Sequence, residues 1–251
     1  MSEILTVLIP TYNSFDAFYM VLNAYRRDKR VKVIVSDDSD DKQQKKMIEA
    51  YCKELNIFYI EGPRVSAVKN WNSLLNNIET PFFVINHHDD FPSNLLFLNQ
   101  LDSEKIGLTI LPCSSKLINN QVHYMESWQQ YIFSKICLMF PNSSFNMILA
   151  PTAAIIVNSK LKEILFDENL KWFVDAYWYM KLFLSLKKLK LKVKFLSSTK
   201  IISHQRKNSI TSILKQKINL QIKKEKKYLL ERGFYPGHLI NAIQFCFLAL
   251  I

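Results

Sequence analysis

Four short apolar runs, separated by stretches of helical periodicity, constrain this chain more than any other feature. They are Ile4–Pro10, Val31–Val35, Ile57–Ile60 and Phe82–Asn86. Apolar runs without a polar spacer, alternating with helices, are the pattern of a parallel sheet covered on both faces, because each βαβ crossover lays a helix over the sheet. Helices are expected over 15–27, capped by Ser14, over 42–55, and over 65–78, where Val68, Trp71, Leu75 and Ile78 share a face. Each run stops in polar residues: Thr11-Tyr12-Asn13, Ser36 to Asp41, Glu61 to Arg64, and His87-His88-Asp89-Asp90. Ligands of open α/β sheets bind outside the carboxyl ends of the strands, so Thr11, Asp37, Asp38, Arg64 and residues 87–90 are expected around one crevice. The last group is the most telling. Uncompensated charge at the end of a buried strand is costly, and a divalent cation would compensate it.

The second half of the chain reads less regularly. A short helix is expected over 93–101, strands over 106–112 and 153–157, and a helix opening at Asn158-Ser159. The stretch Trp172 to Trp178 enters a further, apolar helix that runs to about Leu186, and the alternation of 190–195 predicts a strand with its lysines in water. The aromatic, poorly periodic stretch 113–147 reads as the variable, acceptor-facing part. A basic helix over 212–232 carries Leu214, Ile218, Ile222 and Leu229 on one side, and the apolar segment 238–251 is too short to span a bilayer. The expected division is one domain over 1–210, its nucleotide-binding half about 1–92 and its acceptor-binding half about 93–210, with a helical appendage over 211–251.

Composition removes several classes. With 4 glycines and neither GxGxxG nor GxxxxGK[ST], dinucleotide and P-loop readings lose their support. Cys52, Cys113, Cys137 and Cys246 show no CxxC spacing, so a zinc knuckle or a disulfide framework is not expected and a reducing compartment is the simpler reading. The chain enters its first strand without a basic, cleavable leader. The net charge of +11 is concentrated in residues 181–237, which hold 16 Lys+Arg against 2 Asp+Glu. Partners of that quarter should be anionic. No recognition motif accompanies the charge, so nucleic acid is not expected, and an anionic lipid surface is.

Five segments in order resemble the inverting GT-A glycosyltransferases of the family 2 type: Val7 to Asn13, Val33 to Asp40, Arg64 to Asn70, Val84 to Asp90, and Phe166 to Leu170 with Val174-Asp175. The resemblance covers roughly residues 4–210 and implies a GT-A (Rossmann-like), mostly parallel sheet flanked by helices, with the basic helical appendage outside it. It implies Pro10, Thr11 and Tyr12 at the nucleotide, Asp38 with its neighbour Asp37 at the base (usually uracil), and Arg64 and Lys69 at the diphosphate. The bland alternative for 37–41 is a solvated turn feeding a helix N-terminus.

The family's Asp-x-Asp metal motif is altered here. His87 stands for the first Asp, His88 holds the variable position on the nucleotide side, Asp89 is the retained acid, and Asp90 follows. An imidazole in the set favours manganese over magnesium; the alternative is that both histidines are ordinary loop residues. Asp175 matches the family's general base, its preceding Glu replaced by Val174; a helix-capping aspartate is the alternative. Trp172, Tyr177 and Trp178 are candidates to stack on sugar faces, though some must be core. His204 is a further metal ligand or a diphosphate contact.

The activity implied is sugar transfer from a nucleotide diphosphate, a UDP-sugar, to a hydroxyl of a growing surface glycan such as an O-antigen, lipooligosaccharide or capsule. The acceptor would be a glycan or lipid-linked glycan, and the protein would be cytoplasmic, peripheral on the inner face of the membrane. The 212–232 helix would sit on an anionic leaflet with 238–251 dipping into the interface; alternatively, 238–251 is a docking helix packed on the domain or on a second subunit of a homodimer. Two other readings compete: a degenerate nucleotide-sugar binding module, given His87 and Val174, and a nucleotidyltransferase, which would want a glycine-rich basic loop after the first strand.

Overall fold

The computed structural model describes residues 2–102, 105–116, 122–124, 132, 151–204 and 218–234. In chain order the elements are β1 (Leu5–Thr11), α1 (Phe15–Tyr25), β2 (Val31–Asp37), α2 (Lys42–Glu54), β3 (Phe58–Glu61), α3 (Ala67–Leu75), β4 (Phe82–Ile85) and β5 (Asp90–Pro92). These are followed by β6 (Ile106–Ile110), β7 (Cys113–Lys116), β8 (Val122–Tyr124), β9 (Ile155–Asn158), α4 (Val174–Leu189), β10 (Lys192–Phe195), β11 (Ile201–His204) and α5 (Ile218–Leu230). Seven strands form the main sheet in the order β10-β6-β9-β4-β1-β2-β3, and four form a second sheet in the order β5-β11-β7-β8.

The four apolar runs are the four adjacent parallel strands of the main sheet. Although the runs look continuous, their side chains alternate between two cores. Leu8, Ile34, Phe83 and Ile85 face α3 and α4, whereas Val7, Ile9, Val33, Val35 and Val84 face Phe18, Val21 and Leu22 of α1 and Ile48 of α2. Burial on both faces is why no polar spacer survives in these strands.

The strand expected over 153–157 starts at Ile155 and runs antiparallel to both neighbours, making the sheet mixed. Thr152–Ala154 forms a 3-10 turn instead. The Thr152 hydroxyl donates to Ile85 O at 2.8 Å, pinning that turn across the end of β4, so the chain enters the sheet from the opposite edge. The helices expected over 93–101 and from 158 are likewise 3-10 segments, Leu96–Gln100 and Ser159–Leu161. Ser14 stands at the N-cap of α1 without a side-chain cap bond; Asp41 and Ser66 do cap α2 and α3. All four strands of the second sheet escaped the sequence reading, because segments of three or four residues, several of them polar, carry no legible period.

The appendage helix packs on the domain. Leu229 of α5 and Phe234 are fully buried against the α3–α4 core, with Ile222 and Tyr228 partly so. Leu214 and residues 235–251 lie outside the described residues. Among the described residues no helix is long and apolar enough to cross a membrane.

Candidate active site

β1 and β2 run in register to Thr11 opposite Asp37, which brings their polar exits side by side. Main-chain bonds join them further, from Asp38 N–H to Thr11 O (3.0 Å) and from Gly62 N–H to Asp37 O (2.9 Å). Asn13, in the left-handed region at φ 46, donates to Ser39 Oγ (2.8 Å). Its Oδ1 accepts from the N–H groups of Asp40 (3.1 Å) and Asp41 (3.0 Å). The Tyr12 hydroxyl donates to Asp40 Oδ2 at 2.9 Å, and that bond holds the phenol above its ordinary pKa while the side chain stays 52% exposed. Pro10 and Thr11 are buried beneath this loop pair.

The two aspartates after β2 take different parts. Asp37 is fully buried, accepting from Ser39 N–H (2.9 Å) and the Tyr59 hydroxyl (3.2 Å), so its carboxylate is committed to holding the turn. Asp38 reaches the surface and accepts from Arg64 N–H at 2.8 Å; burial raises its pKa and that bond opposes the rise. A Cβ at Gly62 would stand 2.2 Å from Asp38 Oδ1, so glycine is what lets this carboxylate lie over the β3 exit. The guanidinium of Arg64 lies 3.5 Å from Glu61, and Lys69 Nζ lies 3.9 Å from Glu168.

At the end of β4 one residue shapes the whole acidic turn. Asn86 is fully buried, its N–H bonded to Leu8 O (2.9 Å). Its Nδ2 donates to His87 O (2.9 Å) and to Asp90 O, and its Oδ1 accepts from the Tyr25 hydroxyl (2.8 Å). Asp90 N–H closes the turn on His87 O at 3.1 Å. The His87 ring stands edge-on to Trp71 at 4.8 Å, and Trp71 in turn packs on Phe166 at 5.3 Å. Burial lowers the His87 pKa to about 4 against the opposing pull of Asp89, so the imidazole is neutral at physiological pH and keeps a lone pair to offer. His88 and Asp89 are half-buried.

Asp90 begins β5 and sits in register with Ser203 of β11, whose hydroxyl hydrogen-bonds its carboxyl. Burial first, then the charges of Asp89 and Asp175, raise Asp90 well above the usual carboxylate range. Asp175 lies in the first turn of α4, and the N-cap position belongs to Phe173, so the helix-cap alternative for Asp175 does not hold. Burial pushes the Asp175 pKa up to about 6. Tyr179, one turn on, is buried beside both acids and raised by burial and by their charges; Cys113 is pushed up to about 12 by burial and by Asp90. The Oδ1 atoms of Asp90 and Asp175 and the Tyr179 hydroxyl are closed off from solvent with no hydrogen-bond partner among the described residues. Native chains rarely leave buried polar atoms unpaired, so a cluster of three marks a place where a ligand completes the bonding.

Among the described residues no three acidic, histidine or cysteine side chains converge on one point. Asp89, neutral His87 and the unpaired oxygen of Asp90 offer an incomplete oxygen-and-nitrogen set around one turn. That chemistry fits a cation whose remaining ligands come from a diphosphate, and it does not fit a self-contained metal centre. His204 is the last residue of β11, one beyond the Ser203–Asp90 pair.

Of the three aromatics expected at the sugar, Trp178 is core. It is 1% exposed, stacks on Phe166 at 4.4 Å and donates Nε1–H to Ile164 O at 2.6 Å. Tyr177 stands edge-on to Phe234 at 6.1 Å, and Trp172 is half-buried. Sequence reasoning missed Asn86, Ser203, Tyr179 and Asp40. Asn86 had a signal, being an amide that continues a buried strand. Ser203 and Tyr179 had none, since only folding brings them to Asp90.

A seven-stranded, mostly parallel sheet that gathers the loops after β1 and β2 and an acidic turn at its carboxyl edge, with a small second sheet beyond, defines the GT-A class of fold. Residues 6–105 match the model of the family described as glycosyl transferase family 2. Solved structures agree on the fold. S. aureus TarS 1-349 in complex with UDP-GlcNAc is 20% identical with a TM-score of 0.61, over 83% of this chain and 61% of that one. The mannosyltransferase PcManGT from Pyrobaculum calidifontis, in complex with GDP-Man and Mn2+, is 12% identical with a TM-score of 0.61, over 85% and 60%. The chain thus spans about 60% of the length of these proteins. No curated protein matches it in sequence.

Proposed function

We propose that the protein is an inverting glycosyltransferase that moves a sugar from a UDP-sugar to a hydroxyl of a surface glycan, with Asp175 as general base. The observation that carries this reading is the Asp175 carboxyl, set beside the acidic turn, its Oδ1 without a hydrogen-bond partner among the described residues and its pKa pushed up to about 6 by burial. A carboxylate of that basicity takes a proton from an incoming alcohol at neutral pH far better than an ordinary aspartate. Asp38 accepts the base N–H, Tyr12 lies against the nucleoside, and Arg64 and Lys69 turn from their partial pairings with Glu61 and Glu168 to the diphosphate. Asp89 and neutral His87, with Asp90 and His204 as further ligands, would hold a divalent cation, manganese before magnesium. When bound, the cation neutralises charge developing on the departing diphosphate. That TarS was solved with UDP-GlcNAc and PcManGT with GDP-Man and Mn2+ supports a nucleotide-sugar donor and a metal here.

The test is a thermal-shift screen of nucleotide sugars with and without Mn2+, followed by assay of released UDP. A UDP-sugar should raise Tm, because it binds the folded form alone. Asp89→Ala should remove the Mn2+-dependent part of the shift and lower turnover at least tenfold. Donor binding without turnover on any acceptor would instead make the protein a binding module.

The acceptor side is assigned to an anionic membrane surface, because Lys223, Lys224 and Lys227 share the outer side of α5 with exposed Leu220 and Leu230. The full chain should sediment with phosphatidylglycerol vesicles at low salt and be released at high salt. No sedimentation at low salt would rule the assignment out.

A further inference from the structure

The N-terminus of α4 lacks a cap of its own. Phe173 at the N-cap position has no side chain able to bond the unpaired N–H groups there, and such groups need partners when buried. The loop amides that lead into that end are bonded from a different helix. Glu225, in the middle of α5 and 3% exposed, accepts from the main-chain N–H groups of Lys171 (2.8 Å), Trp172 (3.0 and 3.2 Å) and Phe173 (2.9 Å). Both carboxylate oxygens are used, and Gln221 Nε2, one turn earlier on α5, holds one of them in place. Beside this, the Tyr228 hydroxyl donates to Asp167 Oδ2 (2.8 Å) and accepts from Asn169 Nδ2 (3.0 Å), so α5 also fixes the loop that leads into α4. Asp175 is two residues beyond Phe173.

An acid among five basic neighbours in Gln221–Arg232 would ordinarily be a surface residue paired with a lysine. This one is turned inward onto three amides. A carboxylate accepting several N–H bonds at a helix start is held in a narrow range of positions, and so is the turn that donates them.

We infer that Glu225 is a positioning residue: through the amides of Lys171, Trp172 and Phe173 it fixes the direction in which the first turn of α4 presents Asp175. The inference rests on the reading of Asp175 as base. On this view α5 is an integral part of the active centre and not a detachable appendage, and whatever binds the outer side of α5 has a direct mechanical path to Asp175.

The experiment compares the full-length wild type with Glu225→Ala and Glu225→Gln. Glu225→Ala should lower the kcat for UDP release from UDP-GlcNAc at least tenfold while the Kd for UDP stays within about twofold, and Glu225→Gln, which keeps one acceptor oxygen, should recover most of the loss. In hydrogen exchange without ligand, the amides of residues 171–177 should exchange at least tenfold faster in Glu225→Ala, with β1 and β2 unchanged. A merely structural glutamate would lower Tm and leave kcat per folded molecule as it was, and that result overturns the inference. Unchanged exchange over 171–177, or two variants that do not fold, would also overturn it. If the wild type releases no UDP, the proposed function fails and exchange alone decides the positioning role.

Discussion

Asp175→Asn should abolish sugar transfer and at the same time stabilise the protein. The amide is nearly isosteric but cannot take a proton, and loss of a general base typically costs about 10²- to 10⁴-fold in rate. The gain in stability follows from linkage. The folded-state pKa is pushed up to about 6 by burial, whereas the unfolded chain releases the proton near the ordinary aspartate value of 3.8. Between these values the folded state binds more protons than the unfolded one, so stability falls as pH rises through this window and stays lowered above it. A shift of this size corresponds to roughly 2–3 kcal/mol, reduced in the variant by the unpaired polarity of the new amide. The groups facing Asp175 are Asp90 and Tyr179, and neither supplies a compensating positive charge. Thermal melts should therefore place the variant a few degrees above wild type at pH 8, with a smaller gap at pH 5. A variant less stable than wild type at pH 8 would show that Asp175 is held by its surroundings and not strained by them. The wild-type kcat/KM profile should rise through about pH 6 for the same reason.

Asn86→Ala should cost more stability than any substitution at the surface of the site, because this amide makes bonds that nothing else in the turn can replace. It would lose donation to His87 O and Asp90 O, and it would leave the fully buried Tyr25 hydroxyl without an acceptor. Hydrogen bonds contribute about 1 kcal/mol each, and an orphaned buried hydroxyl adds about 1–3 kcal/mol, so a loss of roughly 3–5 kcal/mol is expected in chemical denaturation. Tyr25→Phe removes the orphan. In the double variant the total should fall short of the sum of the two single losses by 1 kcal/mol or more, the coupling expected of partners in one network. Strict additivity would mean that Asn86 does not act through Tyr25. Since the same amide sets the position of Asp89 and Asp90, metal-dependent donor binding should weaken in step.

Much of this was open to reading before any fold was known. The alternation of apolar run and helical stretch predicted the parallel strands β1 to β4, and their polar ends predicted which edge of the sheet would carry chemistry. Local rules sufficed there: burial on both faces forbids spacers, and a parallel crossover puts successive strand exits on one edge. Where interactions crossed long distances in sequence, the reading failed. The strand at 155–158 runs antiparallel to β4 with Thr152 bonded across that strand's end, Trp178 packs in the core on Phe166 with its Nε1–H on Ile164 O, and β11, four residues long, was too short to show a period.

The motifs of residues 7–90, read in order, pointed to the family whose model matches residues 6–105 and to the edge of the sheet where the polar strand ends gather, because β1 to β4 form one contiguous run of parallel strands. Only the tertiary structure decided what each acid does. Asp37 became a strut, Asp38 stayed at the surface, Asp90 and Asp175 were enclosed together, and Glu225, from the far end of the chain, was turned onto the helix that carries Asp175. The ionisation and reach of a carboxyl depend on the dielectric and the donors around it, and those are supplied by whichever distant segments the fold packs against it.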